Sequence, residues 1–385
     1  MFKQFDWIMP TKIIFGEGRL NEIGKIAAGV GNKAFLVTGK TAMKKLGFTQ
    51  RVQDYLRSEG IDSILFDQIE PNPSLETANR GAQLAKENDC DVIIALGGGS
   101  TMDVAKAVST VKTYRGSVED YLGNDKVPGL ILPIIAVPST AGTGSEVTRY
   151  AVLTNTAINR KDSLRSEFII PKVAIVDPEL MVSQSPRLTS STGIDALTHA
   201  VEAYTSPQAD SFSDIAAAEA IRLVGIYLRR AVWEEENMEA RSGMALASTL
   251  AGMAICQAGT GAAHGLGMSV GGFFNTEHGT TVGLILPYVM EYNFVANLEK
   301  YAKIATLLGE KVDGLSLRKA ALKSIEAIVG FIQDIDIPSN LSQIGAKKEM
   351  ADEIAKDAIT QGAMRNNIRR LTSKEIKAIY KKACG

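Results

Sequence analysis

Histidine is scarce in this chain, and its placement predicts metal chemistry. The sequence contains three histidines, His199, His264 and His278. Asp195 precedes His199 by one helical turn, so on a helix both side chains would emerge from one face within reach of a common ion. An Ala or Gly residue directly follows each of the three histidines, and such small residues would let helices pack closely around an ion.

Together these residues would form a ligand set of three imidazoles and one carboxylate. Such a set suits iron(II) or zinc(II) and leaves a coordination position open for a substrate. The residues alone leave two other interpretations open. The Asp195–His199 pair could be a hydrogen bond on a helix surface, and a single histidine on an apolar helix could be an ordinary core residue.

A glycine turn in the first half of the chain is a candidate phosphate site. The apolar run at residues 92–96 leads into Gly97-Gly-Gly-Ser100 and then into a helical pattern. Backbone N–H groups of such a turn, and the positive end of the helix after it, can bind a phosphate. The alternative is a tight turn with a capped helix, because Ser100 and Asp103 have the spacing of a capping box.

A second loop supports the prediction of a phosphate-binding site. The apolar run at residues 134–137 ends in Pro138-Ser-Thr-Ala-Gly-Thr-Gly-Ser-Glu-Val-Thr148, which is dense in hydroxyls and glycines. Open α/β sheets bind ligands beyond the carboxyl ends of their strands. Gly16-Glu-Gly18 with Gly24 also resembles a dinucleotide motif, but no buried strand of the usual kind precedes it, and a surface turn is predicted there.

Two kinds of segment must position these residues. In the first half, short apolar runs alternate with helical patterns, which indicates a parallel sheet covered on both faces. The predicted strands are residues 34–38, 63–66, 92–96, 131–137 and 173–176. The second half is rich in Ala, Leu, Met, Glu and Lys and is predicted to be helical, for example at residues 214–228, 239–257 and 317–332. We therefore expect an α/β N-terminal domain with a parallel Rossmann-like sheet (1–185) and an all-α C-terminal domain (186–385).

Composition excludes several classes of function. The 385 residues carry 42 Lys plus Arg against 43 Asp plus Glu, without a long run of one sign, which disfavours nucleic-acid binding. No stretch approaches the roughly 18 apolar residues that span a bilayer, and the first residues lack a signal-peptide pattern, so a cytoplasmic protein is expected. The cysteines Cys90, Cys256 and Cys384 are too far apart for a metal or redox pair.

Two motifs resemble a known family over essentially the whole chain. Residues 97–106, GGGSTMDVAK, and residues 138–148, PSTAGTGSEVT, resemble elements of the iron-containing (group III) alcohol dehydrogenases, which have the dehydroquinate-synthase-like fold. The resemblance implies that Asp195, His199, His264 and His278 ligate Fe²⁺, with Zn²⁺ as the other candidate. The metal would act as a Lewis acid on the substrate oxygen while NAD(P)(H) exchanges hydride, interconverting small primary alcohols or diols and aldehydes. A homo-oligomer, a dimer or larger, is also implied.

The resemblance further implies residues that contact the dinucleotide. These are Asn72, Gly98, Gly99, Ser100, Asp103, Ser139, Thr140, Thr143 and Lys161.

The sequence departs from the family pattern at two positions. Members restricted to NAD often carry an acidic residue after the first cofactor strand, where this chain has Gly39 followed by Lys40. A carboxylate there would bind the ribose hydroxyls and repel a 2′-phosphate, so its absence favours NADP(H), with NAD(H) still possible. Many members also carry a further histidine where this chain has Met268, so a histidine proton relay from that position is not expected.

Other functions remain open on the sequence. Within the same fold they are a zinc polyol dehydrogenase, a hydroxyacid–oxoacid transhydrogenase and a cyclising lyase. A metal-dependent hydrolase whose glycine loops bind a phosphorylated substrate is a more distant alternative. The last alternative is a noncatalytic protein that binds a nucleotide or a metal.

Overall fold

The computed structural model describes residues 4–158 and 160–385 of the chain. The chain forms two compact units. The N-terminal unit comprises Ile8–Thr140 and Ser145–Val182, and the helical unit comprises residues 4–7, Ala141–Gly144 and Ser183–Gly385. The domain boundary predicted after residue 185 stays a prediction.

The N-terminal unit contains every strand of the described residues and five α-helices. The strands are β1 (Lys12–Phe15), β2 (Lys33–Gly39), β3 (Asp62–Ile69), β4 (Val92–Gly97), β5 (Gly123–Asn124), β6 (Ile134–Pro138), β7 (Tyr150–Asn155), β8 (Arg160–Arg165) and β9 (Val173–Val176). The helices are α1 (Ile23–Ala28), α2 (Ala42–Lys45), α3 (Phe48–Ser58), α4 (Leu75–Glu87) and α5 (Gly99–Tyr114).

Six parallel strands form the main sheet, in the order β1-β9-β6-β4-β2-β3. Successive residues of a strand face opposite sides, and both sides are apolar here. In β2, Phe35 and Val37 belong to one buried cluster, whereas Ala34 and Leu36 belong to another. The predicted parallel sheet is confirmed, and its uninterrupted apolar strands reflect burial on both faces.

The strand order creates a switch point at β2. From β2 the chain moves to β3 on one side, and β4 then pairs with the other side of β2. The carboxyl ends of β2 and β4, at Gly39 and Gly97, are therefore neighbours. Ligands of open α/β sheets bind at such a point.

Three details of the N-terminal unit differ from the prediction. Strand β1 was missed because it is a four-residue edge strand with Lys12 and Ile13 exposed. The second sheet, of three strands in the order β5-β8-β7, was missed because β5 has only two residues and β8, with the sequence RKDSLR, has a charged composition that is unusual for a strand. Strand β6 begins at Ile134 rather than residue 131, directly after Pro133, which has no backbone N–H to donate to a sheet.

The helical unit contains α-helices and short 3₁₀ turns, and its described residues form no strand. The helices are α6 (Pro186–Thr205), α7 (Ser211–Trp233), α8 (Met238–Ala258), α9 (Ala262–Phe274), α10 (His278–Asn293), α11 (Leu298–Leu307), α12 (Leu317–Asp334), α13 (Ala351–Ala358) and α14 (Ser373–Ala383). The predicted all-α second half is confirmed. Among the described helices, none has the length and apolar character needed to cross a membrane.

Candidate active site

Helix α6 carries two of the four predicted metal ligands. It begins at Pro186, and the hydroxyl of Ser185 before it accepts a hydrogen bond from the N–H of Leu188, a standard helix start. Asp195 and His199 lie one turn apart on this helix, and 3% and 5% of their surfaces are exposed. The helical spacing assumed for the pair is therefore present, in a buried setting that does not fit a surface hydrogen bond.

The three imidazoles converge on one oxygen of Asp195. From its Oδ1 the Nε2 atoms of His264, His278 and His199 lie 3.4, 3.8 and 3.9 Å away. The ligand atoms of Asp195, His199 and His264 all lie within 4.8 Å of one another. His278 stands outside that tight group, and 34% of its side chain is exposed.

Two atoms at this convergence have no hydrogen-bond partner among the described residues. Both Oδ1 of Asp195 and Nε2 of His264 are buried and unsatisfied, and such an atom costs about 1 to 3 kcal/mol. A divalent cation would satisfy both, because carboxylate oxygen and imidazole nitrogen are ligands for iron(II) and zinc(II). The residues therefore fit the predicted metal, while the assignment of each ligand stays a prediction.

The opposite ring nitrogens of two histidines contact oxygen atoms. Nδ1 of His264 lies 2.6 Å from Oε2 of Glu202, and Nδ1 of His199 lies 3.3 Å from the carbonyl oxygen of Gly142. A ring that donates from Nδ1 keeps the lone pair of Nε2 for a metal. Neither Glu202 nor Gly142 was predicted, although Glu202 follows His199 by three residues and so shares its helix face.

Charge and burial act in opposite directions on this cluster. Burial alone would raise the pKa of Asp195, but His199, His264 and His278 hold that pKa below its ordinary value. Burial alone would lower the pKa of His264, but Glu202 and Asp195 raise it to about 9. At neutral pH a proton and a cation therefore compete for this ring.

Close packing places His278 at the start of α10. A Cβ on the next residue, Gly279, would lie 2.0 Å from the backbone oxygen of Ser191 on α6, so only glycine fits there. The hydroxyl of Ser191 also accepts a hydrogen bond from the N–H of Thr280, at 3.2 Å. This contact serves as a cap from α6, because Glu277 makes no side-chain cap at the start of α10.

Thioether side chains border the His264 end of α9. The side chain of Met364 lies 3.0 to 3.2 Å from the position of a Cβ on Gly265. Met268 follows His264 by one turn and is half-buried. These side chains offer an apolar surface and no group that carries a proton.

The glycine turn leads directly into α5. This helix begins at Gly99 with Gly98 as N-cap and without a side-chain cap, so Ser100 lies inside the first turn. The capping alternative for Ser100 is therefore wrong. Gly98, Gly99 and Ser100 occupy the helix start, where first-turn N–H groups have no acceptor within the helix and suit an anion.

Asp103 and Lys106 of α5 belong to a buried polar network. Asp103 accepts hydrogen bonds from the hydroxyl of Ser145 and the N–H of Val152, at 2.9 and 3.1 Å. The Nζ of Lys106 donates to Ser145 at 2.8 Å and to the carbonyl of Tyr150 at 2.7 Å. Burial raises the pKa of Asp103, and Lys106 opposes that shift. The contacts of Asp103 tie α5 to β7 and to the segment before it, and its role toward a cofactor stays a prediction.

The loop after β6 reaches the glycine turn. The N–H of Ser139 donates to the carbonyl of Gly97 at 2.9 Å, and the hydroxyl oxygen of Thr140 lies 3.2 Å from the position of a Cβ on Gly98. The structure therefore brings these two predicted residues beside the turn. Thr143 lies in the segment Ala141–Gly144, which groups with the helical unit.

The remaining predicted cofactor residues lie at the ends of β2 and β3 and on β8. Lys161 donates to the side-chain oxygen of Asn72 at 2.9 Å, so the structure brings this pair together. Asn72 follows β3 and adopts a positive φ of 52°. Gly39 ends β2, exposed Lys40 follows it, and a Cβ on Gly39 would meet only the oxygen of Ile69, at 4.0 Å.

Comparison with known proteins covers both units. Residues 10–178 match the family Iron-containing alcohol dehydrogenase, and residues 189–384 match the family Fe-containing alcohol dehydrogenase, C-terminal. The chain is 40% identical over 384 residues to the 1,3-propanediol dehydrogenase of Klebsiella pneumoniae, covering 99% of each chain. It is 36% identical over 378 residues to the NAD-dependent methanol dehydrogenase of Bacillus methanolicus, covering 98% of this chain and 99% of that one.

Solved structures give the same result. A crystal structure of 1,3-propanediol oxidoreductase matches with a TM-score of 0.96 and 40% identity, covering 99% of this chain and 100% of that chain. The predicted dehydroquinate-synthase-like fold and the predicted metal-dependent oxidation or reduction of alcohols or diols are thereby confirmed. The chain belongs to the iron-containing alcohol dehydrogenase family.

Proposed function

We propose that this enzyme interconverts small primary alcohols or diols and aldehydes, with iron(II) held by Asp195, His199, His264 and His278. The observation that carries the ligand assignment is the convergence of three Nε2 atoms on Oδ1 of Asp195, at 3.4 to 3.9 Å. The names of its relatives, a 1,3-propanediol and a methanol dehydrogenase, support short substrates. Zinc(II) is the other candidate ion for the same ligands.

The residues around the proposed ligands orient the imidazole rings and limit the route by which a proton can leave. A bound iron(II) supplies a Lewis acid for the substrate oxygen, and the nicotinamide supplies the hydride carrier. Glu202 and Gly142 orient the rings of His264 and His199 through their Nδ1 atoms. Met268 cannot carry a proton, so the alcohol proton leaves through water or a ribose hydroxyl of the cofactor.

We infer that the dinucleotide binds at the carboxyl ends of β2, β4 and β6 and that NADP(H) is preferred over NAD(H). Gly98, Gly99 and Ser100 at the start of α5 suit the pyrophosphate. Gly39 offers no carboxylate to repel a 2′-phosphate, and Lys40 beside it offers a cation. Asn72 with Lys161, Asp103 on α5, and Ser139, Thr140 and Thr143 in the following loop complete the proposed contacts.

We further infer a cytoplasmic homo-oligomer, a dimer or larger. Three buried cysteine thiols suit a reducing compartment. Two apolar side chains on α7, Phe212 and Ile215, are 52% and 67% exposed, which favours a subunit contact. Light scattering tests the oligomer, and cell fractionation tests the location.

The experiment that tests the function starts from metal-stripped protein. It is reconstituted anaerobically with iron(II) or zinc(II) and given small aldehydes with NADH or NADPH, while nicotinamide absorbance is followed. Cofactor oxidation that requires the metal supports the proposal and ranks both metals and both cofactors. Bound metal and nucleotide without turnover would instead favour a transhydrogenase, which transfers hydride between a hydroxy acid and an oxo acid, or a lyase of the same fold. Product analysis would then distinguish the two.

A further inference from the structure

A buried carboxylate on α6 contacts both the backbone and a side chain of the helix that carries His264. Glu202 is 5% exposed. Its Oε1 accepts hydrogen bonds from the backbone N–H groups of Ala263 and His264, at 2.6 and 3.4 Å. Its Oε2 lies 2.6 Å from Nδ1 of the His264 ring. One carboxylate thus contacts both the backbone and the side chain of the same residue.

The backbone contacts replace a missing cap. Helix α9 starts after Gly261, which has no side chain to accept from the first N–H groups. A Cβ on Gly261 would lie 3.0 Å from Oε1 of Glu202, so glycine permits the close approach of the carboxylate. A negative group at this helix end is also favoured by the helix dipole.

The ring contact selects a tautomer. A carboxylate can only accept from Nδ1 of His264, so in the neutral ring, the form that can bind a metal, the hydrogen is on Nδ1 and the lone pair is on Nε2. That Nε2 lies 3.4 Å from Oδ1 of Asp195, where the other imidazoles also converge. The carboxylate therefore orients the ring and makes its Nε2 more basic toward a cation.

We propose that Glu202 is a positioning residue for the metal centre, which fixes the orientation and tautomer of His264 while it caps the helix that carries it. This inference rests on the proposed role of His264 as a ligand. Glu202 contacts the ring at Nδ1, the nitrogen opposite the Nε2 that faces Asp195, so it acts through His264.

The chemistry of glutamine makes the role testable. Glu202 uses two acceptor oxygens, one for the backbone and one for the ring. In Glu202→Gln only one acceptor remains, so either the cap or the Nδ1 contact is lost. An amide N–H facing Nδ1 would require a lone pair there and would place the ring hydrogen on Nε2, where the metal must bind.

The test measures metal binding rather than turnover. Zinc(II) affinity is determined by competition with a chelator for wild type, Glu202→Gln and Glu202→Asp. The tautomer of His264 is read from ring nitrogen NMR of the metal-free proteins at a pH high enough for that ring to be neutral. We expect Glu202→Gln to bind zinc(II) roughly 10- to 100-fold more weakly and to shift the ring toward the Nε2–H form. Glu202→Asp keeps both acceptor oxygens and should retain the Nδ1–H form with a smaller loss of affinity.

A matched control separates positioning from general loss of stability. Asp177 is a fully buried carboxylate of the N-terminal unit that accepts from the N–H groups of Gly18 and Leu20. Asp177→Asn should lower the thermal stability without changing zinc(II) affinity. Wild-type affinity and an unchanged tautomer in Glu202→Gln would overturn the inference and leave the ligand set intact. Failure of the wild type to bind any divalent ion would overturn the proposed ligand set as well.

Discussion

The carbonyl oxygen of Gly142 lies 3.3 Å from Nδ1 of His199, so a backbone atom orients this histidine. Gly142 reaches that place because it has no side chain. A Cβ on it would lie 2.8 to 3.0 Å from the Cβ, Cα and carbonyl oxygen of Thr192 on α6. This glycine, which lies in the predicted nucleotide-binding loop, thus also orients a proposed metal ligand.

The variant Gly142→Ala should weaken metal binding. Two of the three atoms that the new methyl group meets are backbone atoms of α6, so the loop must move and its carbonyl must leave Nδ1 of His199. We expect a roughly tenfold or greater loss of zinc(II) affinity, as for other contacts behind a ligand. Chelator competition measures it, and wild-type affinity would show that the carbonyl does not orient the ring.

The variant Gly279→Ala should displace His278. Its new Cβ would lie 2.0 Å from the backbone oxygen of Ser191, so α10 must move away from α6. Overpacking of this kind costs about 1 to 3 kcal/mol of unfolding free energy, and weaker zinc(II) binding should accompany it. Urea unfolding and chelator competition measure the two effects.

A helical glycine remote from the site provides the control. Gly330 lies within α12, and a Cβ there would meet no atom within 4 Å. Gly330→Ala should leave metal binding unchanged and raise stability by up to about 1 kcal/mol, because alanine loses less backbone entropy in a helix. If Gly279→Ala and Gly330→Ala had the same stability and the same zinc(II) affinity, the packing argument for Gly279 would be contradicted.

The sequence predicted those parts of the site that follow from residue type and local spacing. Three histidines and Asp195 could be recognised because histidine is scarce and one pair has helical spacing. Glu202 and Gly142 were not recognised, because their contacts depend on how α6 packs against α9 and against a loop distant in sequence. Strands β2 and β4 were recognised from uninterrupted apolar runs, whereas β8, with its charged composition, gave no such signal.

The variant Gly39→Asp should change the choice of cofactor. A Cβ at this position has open space, with Ile69 O at 4.0 Å as its nearest neighbour, so the fold should tolerate it. The carboxylate would repel a 2′-phosphate and bind ribose hydroxyls, shifting the ratio of kcat/KM for NADPH over NADH downward by roughly tenfold or more. Steady-state kinetics with both cofactors measure the shift, and an unchanged ratio would remove the argument for NADP(H).

The half-buried carboxylate of Glu70 should make stability depend on pH near the start of α4. Burial raises its pKa, but hydrogen bonds from the N–H of Ser74 and the hydroxyl of Thr77, at 3.0 and 2.8 Å, more than offset this and hold the pKa below its usual 4.5. A lowered pKa in the folded state means that the ionised form stabilises the fold. This contribution is present above about pH 4.5 and is lost as the pH falls through the lowered pKa.

The variant Glu70→Gln tests whether the ionised carboxylate of Glu70 stabilises the fold. At neutral pH it should be less stable than wild type by about 0.5 to 1.5 kcal/mol. The difference in urea midpoint should shrink as the pH falls below about 4.5. A difference that stays constant or grows on acidification would show that the charge of Glu70 does not contribute.

The contacts made by helix α6 bear on which metal ion the proposed site can bind. Besides Asp195 and His199 it supplies Ser191 and Glu202, which cap the starts of the helices that carry the other two imidazoles. All of these contacts join protein atoms, so packed helices set the arrangement of the donors before any cation arrives. If the proposed ligands hold the metal, a centre prebuilt in this way would accept several ions with similar ligand preferences. The supply of metals in the cell would then contribute, beside geometry and ligand type, to which of them is bound.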